Sequence, residues 1–299
     1  MKIITLSLLL SILALTSALA QKKPVVPLRL PDTVSEKLDL IYATQGEKSD
    51  RNLHLDLYSP KSKGPHPTLL VVHGGGWIGG SKNSFRDIAV MLASRGYVVA
   101  NVEYRLATEA KFPGAVHDIG AAVRWLRANA EKYSIDPQRI GAVGGSAGGH
   151  LVSMIATTAH SNKYNDGKNH PDKSTKLQAA VVMGAGVDQV SRVKEAKNQS
   201  IKNCVIFFGA EYHENPEIYA EASPITHVDK NTAPLLFLDG GQDNPGKRYV
   251  DMRPKLDAAG VANELVVIAD ARHGQWGREP YRSQFVAAMD TFFKKHLNN

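Results

Sequence analysis

Cysteine is almost missing from this sequence. Cys204 is the only one in 299 residues, so no intramolecular disulfide can form. That excludes small stapled scaffolds, and a chain of this length can build its core without them. A thiol nucleophile is also disfavoured, because Cys204 lies in the apolar run Asn203-Cys204-Val205-Ile206-Phe207-Phe208, which reads as buried. Eleven histidines are present, yet none stands at H-x-x-x-H or H-E-x-x-H spacing and no cysteine pair accompanies them. Neither a catalytic metal nor another cofactor is expected.

Blocks of one charge are missing too. The formal charge of +7 is spread along the chain without basic runs or interleaved aromatics, so nucleic acid is not an expected partner. No internal repeat is visible, and no apolar run is long enough to span a membrane. The run from Ile3 to Leu15 is preceded by Lys2 and followed by Ala18-Leu19-Ala20. That is the pattern of a secretory signal peptide over residues 1–20, cut after Ala20, with a secreted or periplasmic product. With no cysteine near the cut, no lipid or other membrane anchor is expected.

What is present is an alternation of strand and helix patterns. After an extended, proline-bearing lead-in (21–36), strands are expected at 38–42, 53–58, 68–72 and 97–102. Further strands follow at 139–143, 179–184, 234–238 and 264–268. Helices are expected at about 84–95, 114–133, 150–156, 247–259 and 281–296. This reads as one α/β domain over 37–299, a doubly wound and mostly parallel sheet with helices on both faces. The stretch 187–232 mixes short apolar islands with polar residues and reads as a cap or lid insertion.

The chemistry gathers around Gly144-Gly145-Ser146-Ala147-Gly148, which stands between a strand and a helix pattern. A G-x-S-x-G there is a nucleophile-elbow signature: small neighbours allow a sharp turn that exposes the serine hydroxyl. Upstream, His73-Gly74-Gly75-Gly76-Trp77 follows a buried-type strand. Such a glycine loop can turn N–H groups toward a developing oxyanion, so the N–H groups of Gly75, Gly76 and Ala147 are the expected oxyanion hole. His73 reads as structural. The acid and base must follow Ser146 in the order acid, then His, on loops after later strands. Asp243 and Asp239 both lie after the strand at 234–238; chain order favours Asp243, in the loop, over Asp239 at the strand end. His273 follows the final strand and precedes Gly274, and is the expected base. Trp77 and Trp276 each adjoin one of these loops and could line a substrate pocket or pack around its entrance. His150, one turn past Ser146, is expected to pack inward.

With these residues in order, the chain resembles the α/β-hydrolase superfamily. Within it, the similarity is to the bacterial acetyl-esterase and feruloyl-esterase-like (BD-FAE-like) group related to the hormone-sensitive lipases. The resemblance rests on His73 to Lys82, Glu103 to Ala107, Phe112-Pro113, Asp118-Ile119, Ala122 to Leu126 and Ile135 to Gly141. It continues through Gly144 to His150, Ala222 to Thr226, the Asp243 loop and His273-Gly274, covering about 38–297. Two positions depart from the family pattern: Asp239-Gly240 stands where a His-Gly pair is usual, and Asn244-Pro245-Gly246 where the acid is usually followed by hydrophobic residues. The resemblance implies an α/β-hydrolase fold and a serine carboxylic-ester hydrolase working through an acyl-enzyme. It also implies a substrate class, acetyl or feruloyl esters on plant cell-wall polysaccharide of the xylan type. A general short-chain esterase or a formamidase-type amidase would use the same elbow. A catalytically inactive binding module would be expected to have lost a triad member. The expected partners are thus a small ester or an esterified polysaccharide.

Overall fold

The computed structural model describes residues 28–44, 51–195 and 199–297. The expected signal peptide lies outside the described residues. Eight strands form one sheet: β1 (Val34–Thr44), β2 (Asn52–Pro60), β3 (His66–Val72), β4 (Val98–Val102), β5 (Ile135–Gly145), β6 (Ala179–Met183), β7 (Leu235–Gly240) and β8 (Asn263–Ile268). Their order is β1-β2-β4-β3-β5-β6-β7-β8. The pairs β1/β2 and β2/β4 are antiparallel, and every other pair is parallel.

Strand β3 shows why the sheet is covered on both faces. Leu69 and Val71 enter one apolar cluster with α1 (Arg86–Ala93) and α9 (Tyr281–Leu297). Leu70 and Val72 enter the other with α2 (Gly114–Ala128) and α3 (Ala147–Thr158). The alternation follows from the two-residue period of a strand. All four side chains are fully buried, each worth about 1.5–3 kcal/mol against exposure.

Several elements depart from the sequence expectation; β5 starts at Ile135 and α3 at Ala147, each a few residues early. The first strand begins at Val34, inside the expected lead-in, because Val34 to Lys37 pair with Pro60 to Leu57 of β2. The long helix expected to reach 133 stops at Ala128, where the Asn129 amide donates back to the Trp125 carbonyl and the chain turns toward Ile135. The helix expected at 247–259 is two pieces, α7 (Pro245–Arg248) and α8 (Met252–Ala258). In a continuous helix Pro254 would collide with the Val250 carbonyl and leave it without a donor. Restarting at Met252 puts Pro254 in the first turn, where the missing N–H costs nothing.

Residues 187–232 carry α4 (Gln189–Glu195), α5 (Gln199–Phe208), α6 (Pro216–Glu221) and a 3₁₀ turn at Pro224–His227. Among the described residues no helix is long and apolar enough to cross a membrane.

Candidate active site

Ser146 is the hinge between β5 and α3, with φ 53° and ψ −118°. That region is costly for a side-chain-bearing residue, and the turn is held from outside. The Ser146 N–H donates to the Met183 carbonyl at 2.7 Å and its carbonyl accepts from His150 N–H at 3.0 Å. Two glycines make the turn possible by close approach. A Cβ on Gly144 would collide with the Gly148 carbonyl, and one on Gly148 with the carbonyls of Val72 and His73. Ala147 is the first residue of α3, where an N–H has no intrahelical acceptor.

The glycine loop is pressed against the elbow. A Cβ on Gly74 would stand 3.2 Å from Ser146 Cβ and 2.8 Å from the Gly145 carbonyl oxygen. Gly75 and Gly76 have φ 127° and 61°. The Gly75 carbonyl accepts from Gly79 at 3.1 Å and Ile78 at 3.3 Å, which fixes the turn. Among the described residues neither the Gly75 nor the Gly76 N–H has a backbone acceptor. His73 braces the loop: its ring stacks on Tyr104 at 4.4 Å, the Tyr104 hydroxyl donates to the His73 carbonyl at 3.0 Å, and burial lowers its pKa.

The loops after β7 and β8 bring Asp243 and His273 together. His273 Nδ1–H donates to Asp243 Oδ2 at 2.7 Å. Arg248 Nη2 donates to Asp243 Oδ1 at 2.7 Å and to its carbonyl at 2.6 Å, while Arg248 Nε donates to Asp239 Oδ2 at 3.1 Å. Asp239 is fully buried and turned the other way. It accepts from Gly184 N–H at 2.6 Å and the Tyr249 hydroxyl at 2.9 Å, and burial raises its pKa despite Arg248 beside it. The carboxylate at the imidazole is therefore that of Asp243, with Asp239 a buried anchor beneath it. The Arg248–Tyr249 brace was not found from the sequence; the only sign of it was a cation five residues after Asp243.

Ser146, Asp243 and His273 border one cavity of about 740 Å³, along with Gly184, Asp188 and Arg192. It opens beyond the carboxyl ends of β5 to β8, where ligands bind in open α/β sheets. The His273 side chain is 46% exposed. With its Nδ1 proton held by Asp243, Nε2 is left as the atom that can accept a proton. Ala147 follows Ser146 at the elbow, and Gly75 and Gly76 follow Gly74, which is packed against it; none of the three is in the wall of this cavity.

The two tryptophans do not line the cavity. Trp77, 1% exposed, stacks on Phe207 at 4.8 Å and donates Nε1–H to His150 Nδ1 at 3.2 Å. Its positive φ of 64° turns it away from the loop and into the core. Trp276, 5% exposed, stands edge-on to His273 at 5.0 Å and packs against Gly145 and Phe285, so it backs the imidazole without reaching the cavity. His150 is buried inside. Its Nε2–H donates to the Ala222 carbonyl at 2.7 Å, and burial drives its pKa down to about 4. Asn203 of α5 was also missed: its side-chain amide lies against Gly76 and covers the glycine loop. Cys204 is fully buried, and burial raises its thiol pKa. Among the described residues no three His, Cys, Asp or Glu side chains converge on a possible metal position.

Comparison with known proteins agrees with this architecture. The BD-FAE family model matches residues 55–247, more than half of the chain. Esterase LipC of Mycobacterium tuberculosis is 32% identical over 60% of this chain and 45% of its own length. The chain spans about half the length of LipC and of the two other mycobacterial esterases it matches. The ethyl acetate hydrolase of Pseudomonas putida is 30% identical over 81% of this chain and 76% of its own. Among solved structures, a truncated carbohydrate esterase from gut microbiota superimposes with a TM-score of 0.79 at 26% identity, over 91% of this chain and 99% of that one.

Proposed function

This chain belongs to the BD-FAE family of α/β-hydrolases, and from that premise we propose that it is a serine carboxylic-ester hydrolase working through an acyl-enzyme. The observation that carries the reading is the Asp243–His273 hydrogen bond on the cavity that Ser146 borders. Ser146 Oγ attacks the ester carbonyl while His273 Nε2 takes its proton. The negative charge formed on the carbonyl oxygen is met by the N–H groups of Gly75, Gly76 and Ala147. Each such donor is worth about 3–4 kcal/mol in the transition state. The tetrahedral species collapses as His273 returns the proton to the leaving alcohol, and water releases the acyl group by the same steps in reverse. Asp243 holds the imidazole in the required tautomer, and Arg248 holds Asp243.

The substrate class we favour is acetyl or feruloyl esters on cell-wall polysaccharide of the xylan type. The family and the carbohydrate esterase fold neighbour support it, as does the secretory leader read from residues 1–20. A general short-chain esterase is the second reading, favoured by the likeness to ethyl acetate hydrolase over most of both chains. Acetate and ferulate release from acetylated xylan and feruloylated arabinoxylan, against a 4-nitrophenyl acyl series with Ser146→Ala as control, separates them. Polysaccharide release at rates rivalling the small esters supports the first reading. Turnover confined to the 4-nitrophenyl esters supports the second.

A further inference from the structure

The cavity holds a cation that this reaction does not use. Arg192 projects from α4 of the 187–232 insertion and borders the cavity with Ser146 and His273. Its guanidinium lies on the face of Trp77, 5.1 Å from the ring centre. Gly186 leaves the space it occupies: a Cβ there would stand 3.4 Å from Arg192 Nη1 and 3.3 Å from its Cδ. Arg105, Arg124 and Arg248 have carboxylate partners, Asp118, Asp166, and Asp239 with Asp243, while Arg127 is held by the Ser174 and Lys176 carbonyls and Arg253 by the Asn263 side chain. Among the described residues the Arg192 guanidinium has neither a carboxylate partner nor a hydrogen-bonded carbonyl. Burial lowers its pKa, and the nearby Arg248 adds to the effect. An arginine stays charged even so, and a partly desolvated charge without a counter-charge is expensive to hold in a fold.

Two of its charged neighbours in the wall are already committed, and Lys247 and Asp251 lie exposed at the rim. Asp188 accepts from the Val190 and Ser191 N–H groups and from the Ser191 hydroxyl, starting α4. Arg248 is shared between two aspartates. One planar guanidinium, stacked on an indole and facing the cavity, remains. That geometry suits a carboxylate, which takes two parallel N–H bonds from a guanidinium.

We propose that Arg192 is a specificity-determining residue that binds a carboxylate of the ester substrate, so that the preferred substrates are esters of carboxylate-bearing molecules. This rests on the serine-esterase reading above. The carboxylate can belong to the acyl part, as in a dicarboxylic half-ester, or to the alcohol part, as in an acylated uronic acid.

The test measures kcat/KM for two matched pairs. One is 4-nitrophenyl hemisuccinate against 4-nitrophenyl pentanoate. The other is a monoacetylated methyl glucuronoside as free acid against its neutral carboxamide. The wild-type enzyme is expected to prefer the charged member by at least about tenfold in one pair, which identifies the side carrying the carboxylate. Added salt lowers that ratio. In Arg192→Gln the ratio falls to near one, and Arg192→Lys restores part of it. Each ratio is internal to one preparation, so partial unfolding of a variant cancels, and the wild-type ratios need no variant at all. Wild-type ratios near one in both pairs, or a preference that survives Arg192→Gln, overturn the proposal while the esterase reading stands. Failure to hydrolyse all four esters, with no acyl adduct on Ser146, removes the esterase reading and this inference with it.

Discussion

Asp243 and Asp239 are four residues apart and share Arg248, yet only Asp243 touches the imidazole. Asp243→Asn should lower kcat by about 10⁴-fold, since an amide cannot hold the Nδ1–H tautomer. Asp239→Asn should lower it by at least about a hundredfold less, and steady-state kinetics on 4-nitrophenyl acetate decides between them. His150 makes a separate, thermodynamic prediction. Its folded-state pKa of about 4 lies below the ordinary value of 6.5, so between those values the unfolded chain binds more protons than the native one. Its contribution is fully present above about pH 6.5 and is lost as pH falls toward 4, by about 3 kcal/mol. Urea unfolding from pH 7 to pH 4 should show a shallower loss in His150→Asn than in wild type. Equal slopes would mean that His150 is not held neutral. The candidate residues themselves were legible because each sits at a punctuated place: a glycine elbow, a glycine loop, a loop after a strand. The core position of Trp77 was not legible, because a positive φ decides where its ring goes and no local pattern carries that angle.

At the scale of elements, β3, β5 and α3 meet where glycine removes the side chains that would separate them. Gly148→Ala would drive a Cβ into the Val72 and His73 carbonyls. It should cost more than about 4 kcal/mol and lower the melting temperature by about 8 °C or more. Gly246→Ala, with nothing within 4 Å of its Cβ position, should leave the melting temperature nearly unchanged. Scanning calorimetry of the two variants checks both. The strands were readable because those buried on both faces are continuous apolar runs, as Leu69 to Val72 are. The break between α7 and α8 was not, because Tyr249 leaves the helix path to place its hydroxyl on Asp239, a partner from another strand. Pro254 was the local sign of it.

On the scale of the whole molecule, the sheet delivers Ser146, Asp243 and His273 to one edge, and the 187–232 insertion brings Arg192 and Asn203 over it. Strand-helix alternation made the first half of that statement legible. The second was not, since the insertion has weak periodicity and its side chains acquire meaning only from what they cover. The leader read from residues 1–20 leads to its own expectation. Expression of the full chain in a bacterium with a Sec pathway should yield periplasmic protein whose N-terminal residue is Gln21. A cytoplasmic product retaining Met1 would refute the export proposal.

Ester hydrolysis by this mechanism passes through an acyl group on Ser146. Intact-mass and peptide mass spectrometry of enzyme acid-quenched during turnover of 4-nitrophenyl acetate tests it most directly. One added acetyl group is expected, located on Ser146, with neither adduct nor turnover in Ser146→Ala. Continued hydrolysis by Ser146→Ala at the wild-type rate, with no acyl group on the wild-type protein, would contradict it.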